Sequence, residues 1–514
     1  MITTERAINP STARATYREW IGLAILALPC ILYAMDLTVL NLAVPSLSAD
    51  LKPTAAQLLW IVDVYGFLAA GSLLTMGTLG DRIGRRKLLL IGSASFALLS
   101  LVAAFARTAE LLIAARALLG VASATMAPST LSLISNMFRD DRERTLAVSI
   151  WVASFSFGGA IGPAVGGLVL AHFWWGAVFV LAVPILALVL VAGPILLPEH
   201  KDPAAGRLDV LSAALSLAGV LPVIYGIKLL AEGGNFALAL TTIIAGFGIG
   251  LIFLRRQASL ADPLLDLSLL TQPRVSAALT VNLLDFFVGF GILLLLAQYL
   301  QLILGLTPLQ AGLWSIPAGL GSVVGALLTS PMLRLMRPAY ALALGLAFGA
   351  GALGLMIYAI EAQSLILLIT GATLLSIGTA PGTALVADLI VSAAPQERSG
   401  AASALSETTS EFGGALGIAL LGSLATFLYR HELGRIIPGG TAADAMETAL
   451  RGIGSAGSLS QGDGGGKALL SAAQSAYASA VSAAFLAGAG ILLLAAVIAI
   501  MTFRRRGDTP PQAH

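Results

Sequence analysis

Runs of about twenty or more mostly apolar residues, the length that a helix needs to cross a bilayer, recur fourteen times along this chain. They fall at 20–44, 57–79, 88–106, 110–137, 145–171, 174–197, 209–231, 235–254, 276–303, 310–333, 340–360, 364–393, 398–429 and 478–503. Only 11% of the 514 residues are charged, against about 25% in soluble proteins, too few to cover the surface of a soluble chain this long. The mean hydropathy of +0.91 agrees. A soluble enzyme and a disordered chain are excluded. Ten-residue alternating patterns are absent, which excludes a β-barrel. No small-residue cleavage site follows a short apolar core near the start, so the first run is expected to stay as a span.

The net charge of +2 gives no reason to expect nucleic acid, and Arg504-Arg505-Arg506 reads as a membrane-side anchor. With the N-terminus placed inside, the inner segments hold 21 Lys and Arg residues and the outer ones 7, with Arg116 inside a span. Lys228 is counted among the outer seven. This asymmetry predicts both termini in the cytoplasm. Cys30 is the only cysteine, and no Cys/His cluster offers a metal site. The one long polar insertion, 430–477, contains the Gly/Ser-rich stretch Gly452–Lys467 and a possible short helix over Thr441–Leu450. It reads as a tolerated insertion in preference to an outer lid.

Three local matches repeat in order at nearly one offset. SFGGAIG at Ser156–Gly162 returns as EFGGALG at Glu411–Gly417, Ala127-Pro128-Ser129-Thr130 as Ala380-Pro381-Gly382-Thr383, and Glu143-Arg144 as Glu397-Arg398. Spans four and five thus map onto twelve and thirteen, in the same direction. The expected architecture is an all-α polytopic membrane protein with fourteen transmembrane helices arranged 6+2+6. Residues 1–200 and 276–514 form the two six-helix bundles, and 201–275 the extra pair with its linker. Parallel repeats of this kind suit a transporter with a central site between its halves.

Four motifs stand out. Gly77-Thr78-Leu79-Gly80-Asp81-Arg82-Ile83-Gly84-Arg85-Arg86-Lys87 joins spans two and three. Its glycines permit a tight turn, and its basic residues can pair with acids at a neighbouring helix end. In span five, Gly158, Gly162, Pro163, Gly166 and Gly167 lie in a GxxxGPxxGG pattern that allows close helix approach and a bend. Asp36-Leu37-Thr38 through Asn41, Ala43 and Pro45 closes span one. Arg116 and Gly120 lie in span four. The first motif resembles the loop signature of the major facilitator superfamily, and the second its drug-exporter motif. The other two are similar to the first-span and proton-linked motifs of fourteen-span drug:proton antiporters, with Leu119 where that family often has glutamine. The resemblance covers nearly the whole chain and is strongest to exporters of quaternary ammonium antiseptics, viologens and cationic dyes. It implies the major facilitator fold, a bacterial inner membrane, no cofactor beyond the proton gradient, no obligate protein partner and no enzymatic activity. Its partners would be small lipophilic cations, protons and the lipid bilayer. Some relatives that carry dications have an acid in span ten; residues 310–333 have none.

The residues themselves point to the same places. A carboxylate at membrane depth costs roughly 2.5–3.5 kcal/mol to insert and tends to face a polar cavity. Glu407 and Glu411 share a helical face at i,i+4, where mutual repulsion favours holding a proton that a cation can displace. Asp36 and Arg116 join them as candidates for proton coupling, set against a structural hydrogen bond for Asp36 and a salt bridge for Arg116. Asp63 with Trp60 offers charge plus an indole face, set against an interfacial belt pair. Asp285 with Phe286, against an interhelical hydrogen bond, and Tyr65 complete the cation-binding candidates, with Glu407 shared. Gating falls to Gly77, Asp81, Arg82, Gly84 and Arg85 together with Gly158, Gly162, Pro163, Gly166 and Gly167. Trp151, Phe155, Tyr299 and Trp314 are further possible cavity aromatics, and Asp388 carries less weight. The expected function is a proton-coupled multidrug efflux antiporter for lipophilic organic cations, working by alternating access. The alternatives are a proton-linked transporter of a physiological metabolite or lipid and, from another class, a non-transporting membrane sensor.

Overall fold

A computed structural model of the chain describes residues 15–199, 201, 209–231, 234–260, 263, 267–393, 399–436, 443–451, 453 and 464–503. Among them no strand occurs. The long helices are α1 (Tyr17–Leu51), α2 (Ala55–Ile83), α3 (Arg85–Ala104), α4 (Ala109–Ser123, resumed as Met126–Met137), α5 (Asp141–His172), α6 (Ala177–Val180, resumed as Ala182–Leu196) and α7 (Val210–Ala231). They continue as α8 (Phe236–Ser259), α9 (Pro273–Leu302), α10 (Pro308–Leu335), α11 (Pro338–Glu361), α12 (Leu365–Ala393), α13 (Ser399–Ile436) and α14 (Gly464–Phe503). Thirteen of these are long and apolar enough to cross a membrane, and α2, apolar over Gln57–Leu73, makes the fourteenth.

Several boundaries differ from the sequence reading for identifiable reasons. Pro45 does not close α1. The helix runs on to Leu51 and stops where Lys52 adopts a left-handed φ of 47°. Span four is not continuous. Pro128, which has no N–H to give residue 124, follows an interruption at Ala124 and Thr125. There the Ser123 and Thr125 hydroxyls take up the Gly120 and Ala122 carbonyls, at 2.8 and 2.7 Å. The insertion 430–477 is shorter than its polarity suggests, because α13 extends to Ile436 and α14 begins at Gly464. A short helix, Ala443–Arg451, lies between them. It docks on α13, with the Tyr429 hydroxyl donating to the Ala449 carbonyl at 2.8 Å and Arg430 to Leu450 O at 3.3 Å. Most of Gly452–Lys467 lies outside the described residues.

Two large apolar cores organise the bundle. One gathers residues from Leu23 to Leu197 of α1–α6, with Leu294 and Ile418 reaching in from the second half. The other gathers residues from Val275 to Ala499, joined by Leu42. The internal repeat reappears as a packing device. A Cβ on Gly158 of α5 would run into the Ile31 carbonyl of α1, and one on Gly413 of α13 into the Leu283 carbonyl of α9. One turn on, Gly162 abuts Thr38 and Met35, and Gly417 abuts Phe287 O. In both halves, a glycine row lets the fifth helix lie directly on the first.

The extra pair packs mainly on itself, through backbone contacts that Gly219, Gly226 and Gly246 make possible. Much of α8 is exposed apolar surface, as suits a lipid-facing helix. By contrast, α7 reaches the core. A third, small apolar cluster joins Phe67 of α2, Ile224 of α7, and Ala415 and Ala419 of α13. The extra pair therefore seals the seam where α2 of the first half meets α13 of the second.

Candidate functional site

The broad apolar face of α4 carries one charge, Arg116, and the fold buries it to 1% exposure. Its Nη1 donates to Asp36 Oδ2 of α1 at 2.6 Å, while Nε and Nη2 reach the Ile61 and Val62 carbonyls of α2 at 3.2 and 3.5 Å. The guanidinium lies 4.4 Å from the centre of the Tyr65 ring. A buried cation is stable only with such a set of partners. Arg116 thereby ties three helices of the first half together. Asp36 is partly exposed and lines a cleft between α1 and α6, where Phe179 and Leu181 face it.

Asp63, next in the chain after Val62, is fully buried. Its carboxylate holds Lys228 of α7, with Nζ 2.8 Å from Oδ2 and 2.9 Å from Oδ1. The same ammonium stands 4.2 Å over the Trp60 ring. The carboxylate and the indole expected to act together do lie together, and the cation between them is Lys228 of the chain itself. Lys228 is not an outer loop charge. It is buried within α7.

A second, narrow cleft opens between the halves. Asp63 and Leu37 line it from the first half, and Phe290, Ser410, Glu411 and Ala415 from the second. Glu407 and Glu411 are partly exposed, and neither pairs with a basic side chain among the described residues. Glu411 lies within electrostatic reach of the Tyr33 hydroxyl of α1, which makes no hydrogen bond of standard geometry, and Glu407 reaches toward Cys30. The two acids of α13 therefore face α1 across the seam.

An aromatic string runs over this face of the first half. Trp151 meets Phe155 at 4.9 Å between centroids, Phe155 meets Tyr33 at 5.9 Å, and Tyr33 meets Tyr65 at 6.2 Å. The Trp151 indole donates to Thr130 Oγ1 at 2.9 Å, which fixes one end. Tyr299 is instead buried in the second core, and Trp314 is 38% exposed on α10.

Asp285 stands apart from the cleft. It is buried in the second half against Gly382 of α12, and its Oδ1 has no hydrogen-bond partner. The interhelical bonds weighed as its alternative role come from Asn282, which donates to Ser406 O at 3.1 Å and Ser410 Oγ at 2.7 Å. Phe286 stacks on Phe290 at 6.1 Å, and it is Phe290, one turn further, that reaches the cleft.

The glycine motif of α5 works on two faces. Gly158, Gly162 and Gly166 lie against α1, whereas Gly167 meets Pro308 and Leu309 of α10 and the Pro163 carbonyl faces Gly312. With the contacts of Gly66 to Ala415 and Gly422 to Leu59, these close approaches of the halves run from mid-bundle to the end opposite the chain termini. In the loop motif, Gly84 has φ +111° and a Cβ there would strike the Glu199 carboxylate. Glu199 accepts from the Arg86 backbone N–H at 3.1 Å and lies 3.6 Å from its guanidinium, which also donates to Leu197 O at 2.9 Å. Gly80 packs against Arg85, Gly77 faces open space and Arg82 is exposed. The side chains of Asp81 and Asp388 lie outside the described residues.

Lys228, Glu199, Phe290 and Tyr33 were not singled out from the sequence. Lys228 carried a signal, a lysine inside an apolar run, and Phe290 another, its i,i+4 spacing from Phe286.

The Major Facilitator Superfamily profile matches residues 26–418. The chain belongs to the Major Facilitator Superfamily. It is therefore a transporter and not an enzyme. The multidrug efflux pump LfrA of Mycolicibacterium smegmatis is 40% identical over 499 residues, covering 97% of this chain and 99% of that one. The methyl viologen resistance protein SmvA of Salmonella typhimurium is 33% identical, covering 94% and 97%. Among solved structures, a bacterial homologue of the lysosomal transporter Spinster, in an inward-facing unoccupied conformation, superposes with a TM-score of 0.66 at 16% identity. It covers 95% of this chain and 99% of its own, and shares the superfamily fold.

Proposed function

We propose that this chain is a proton-coupled multidrug exporter of lipophilic organic cations, working by alternating access in a bacterial inner membrane with both termini in the cytoplasm. The observation that carries the reading is the cleft between the halves, where Asp63 of α2, Glu411 of α13 and Phe290 of α9 converge. A carboxylate in a low-dielectric cleft holds either a proton or a cation, so each displaces the other. The relatives named for multidrug efflux and methyl viologen resistance support the substrate class. We assign residues 1–200 and 276–514 to the two moving halves and 201–275 to the linker and extra pair. With the termini inside, the close approaches through Gly167, Gly312 and Gly422 fall toward the outer side. This arrangement suits the state that loads drug from the cytoplasm.

Glu407 and Glu411 exchange the proton in this scheme, and the Asp36–Arg116 pair couples that exchange to the first half. Asp63, Trp60, Tyr65 and Phe290 receive the cation. Asp285 and Phe286 stand behind the cleft and act on it only through their neighbours. The test is drug-induced proton release from the purified protein in detergent, with methyl viologen and a quaternary ammonium dye as probes. Glu407→Gln combined with Glu411→Gln should abolish release while the protein stays folded. Undiminished release from that variant would overturn the assignment. Transport of neutral or anionic compounds in preference to cations would favour a metabolite carrier, and specific binding without flux a sensor.

A further inference from the structure

The extra pair α7–α8 lies outside the two six-helix bundles, yet it contributes one of the most deeply buried charges in the described chain. Lys228 is 1% exposed and Asp63 0% at their side chains. The ammonium makes two short contacts with the Asp63 carboxylate and rests on the Trp60 face. Charge and ring together are the features by which a protein recognises an organic cation. Asp63 also lines the cleft that holds Glu411 and Phe290. The position of Lys228 is thus that of a guest, reached from the side through the seam that α7 closes between α2 and α13.

We infer that Lys228 is a tethered competitor: an intramolecular cation that occupies the Asp63–Trp60 receptor at rest and is displaced when an organic cation binds there. This rests on the proposed function and deepens it, naming the residue that sets the threshold for substrate entry. An empty, ionised Asp63 at this depth would be costly. Lys228 keeps the receptor charged and shaped, and a guest must offer at least as good a match of charge and apolar area. Methyl viologen and tetraphenylphosphonium do so, whereas small hydrated cations do not. Release of Lys228 also loosens the hold of α7 on α2, so binding at the receptor reaches the seam between the halves.

The test uses the full-length protein in detergent with tetraphenylphosphonium as probe. Lys228→Met should tighten equilibrium binding about tenfold, because the guest no longer displaces an ion already in place. The gain should vanish in Lys228→Met combined with Asp63→Asn. A purely structural pair predicts the reverse: weaker binding in Lys228→Met and recovery in the double variant. A second measurement leaves the chain unaltered. Saturating probe should raise the rate at which an amine-acylating reagent labels Lys228 severalfold, read by mass spectrometry against the other four of the five lysines. Should Lys228→Met not fold, this labelling decides alone. A wild-type protein that binds no organic cation would overturn the proposed function along with this inference. Normal binding with unchanged Lys228 labelling, or with no tightening in Lys228→Met, would overturn the inference only.

Discussion

Arg116 of α4 and Asp36 of α1 form an ion pair at 2.6 Å in which the guanidinium is 1% and the carboxylate 11% exposed. Nε and Nη2 of the guanidinium reach backbone carbonyls of α2. Asp36 is also the charged residue among those of α1 that line the cleft with α6. The Asp36 carboxylate ties α1 to α4, whereas the tie of α4 to α2 runs through backbone carbonyls.

Asp36→Asn should therefore lower stability by about 3–5 kcal/mol, since it leaves Arg116 charged and buried without its counter-ion. Thermal unfolding of the purified protein measures this. An unaltered melting temperature would show that Arg116 finds another anion and that the node is not structural.

The glycines of α5 give a sharper test, because neighbours in sequence face different surroundings. A Cβ at Gly158 meets the Ile31 carbonyl, whereas at Gly159 nothing lies within 4 Å. Gly158→Ala should cost about 1–3 kcal/mol through forced separation of α1 and α5. Gly159→Ala should instead stabilise by about 0.5–1 kcal/mol through helix propensity alone. Gly417→Ala, which meets the Phe287 carbonyl, should behave like Gly158→Ala. Equal effects at positions 158 and 159 would remove the packing argument.

Much of this arrangement is legible in the amino-acid sequence. The apolar runs gave the fourteen helices, and the SFGGAIG and EFGGALG segments gave the pseudo-symmetry that their contacts with α1 and α9 display. That Asp63 and Trp60 share a face on which a cation can sit was legible, because a residue type and its spacing encode local chemistry. The identity of the cation on it was not, because Lys228 is 165 positions away and only tertiary packing brings it there. The burial of Asp285 against Gly382, away from the cleft, was not legible for a related reason. Burial depth follows from composition, but which way a mostly apolar helix such as α9 faces depends on its neighbours, and α9 carries little amphipathic signal. Glu199 likewise gains its meaning only when the end of α6 reaches the Gly84 turn.

The Arg86–Glu199 contact yields a prediction that separates stability from gating. Both side chains are about 30% exposed, so Glu199→Gln should change stability by less than about 1 kcal/mol. The loop motif nevertheless turns on Gly84 with Glu199 against it, and loss of that charge should slow export of a cationic dye severalfold. Efflux rates in cells, normalised to protein in the membrane, test the claim. Unchanged efflux would place the gate elsewhere.

Phe286 and Phe290 lie one turn apart on α9. They stack with ring planes 16° apart, but only Phe290 borders the cleft with Asp63 and Glu411. An aromatic face beside a bound cation contributes about 1 kcal/mol, equivalent to about fivefold in affinity. Phe290→Ala should thus weaken equilibrium binding of tetraphenylphosphonium by about that factor. Phe286→Ala, which removes a supporting ring behind the site, should weaken it less and lower the melting temperature instead. Phe290→Tyr retains the ring and should bind nearly as wild type. If Phe286→Ala is the more damaging to binding, the cation sits deeper in the second half, toward Asp285, and the cleft between the halves is only its approach.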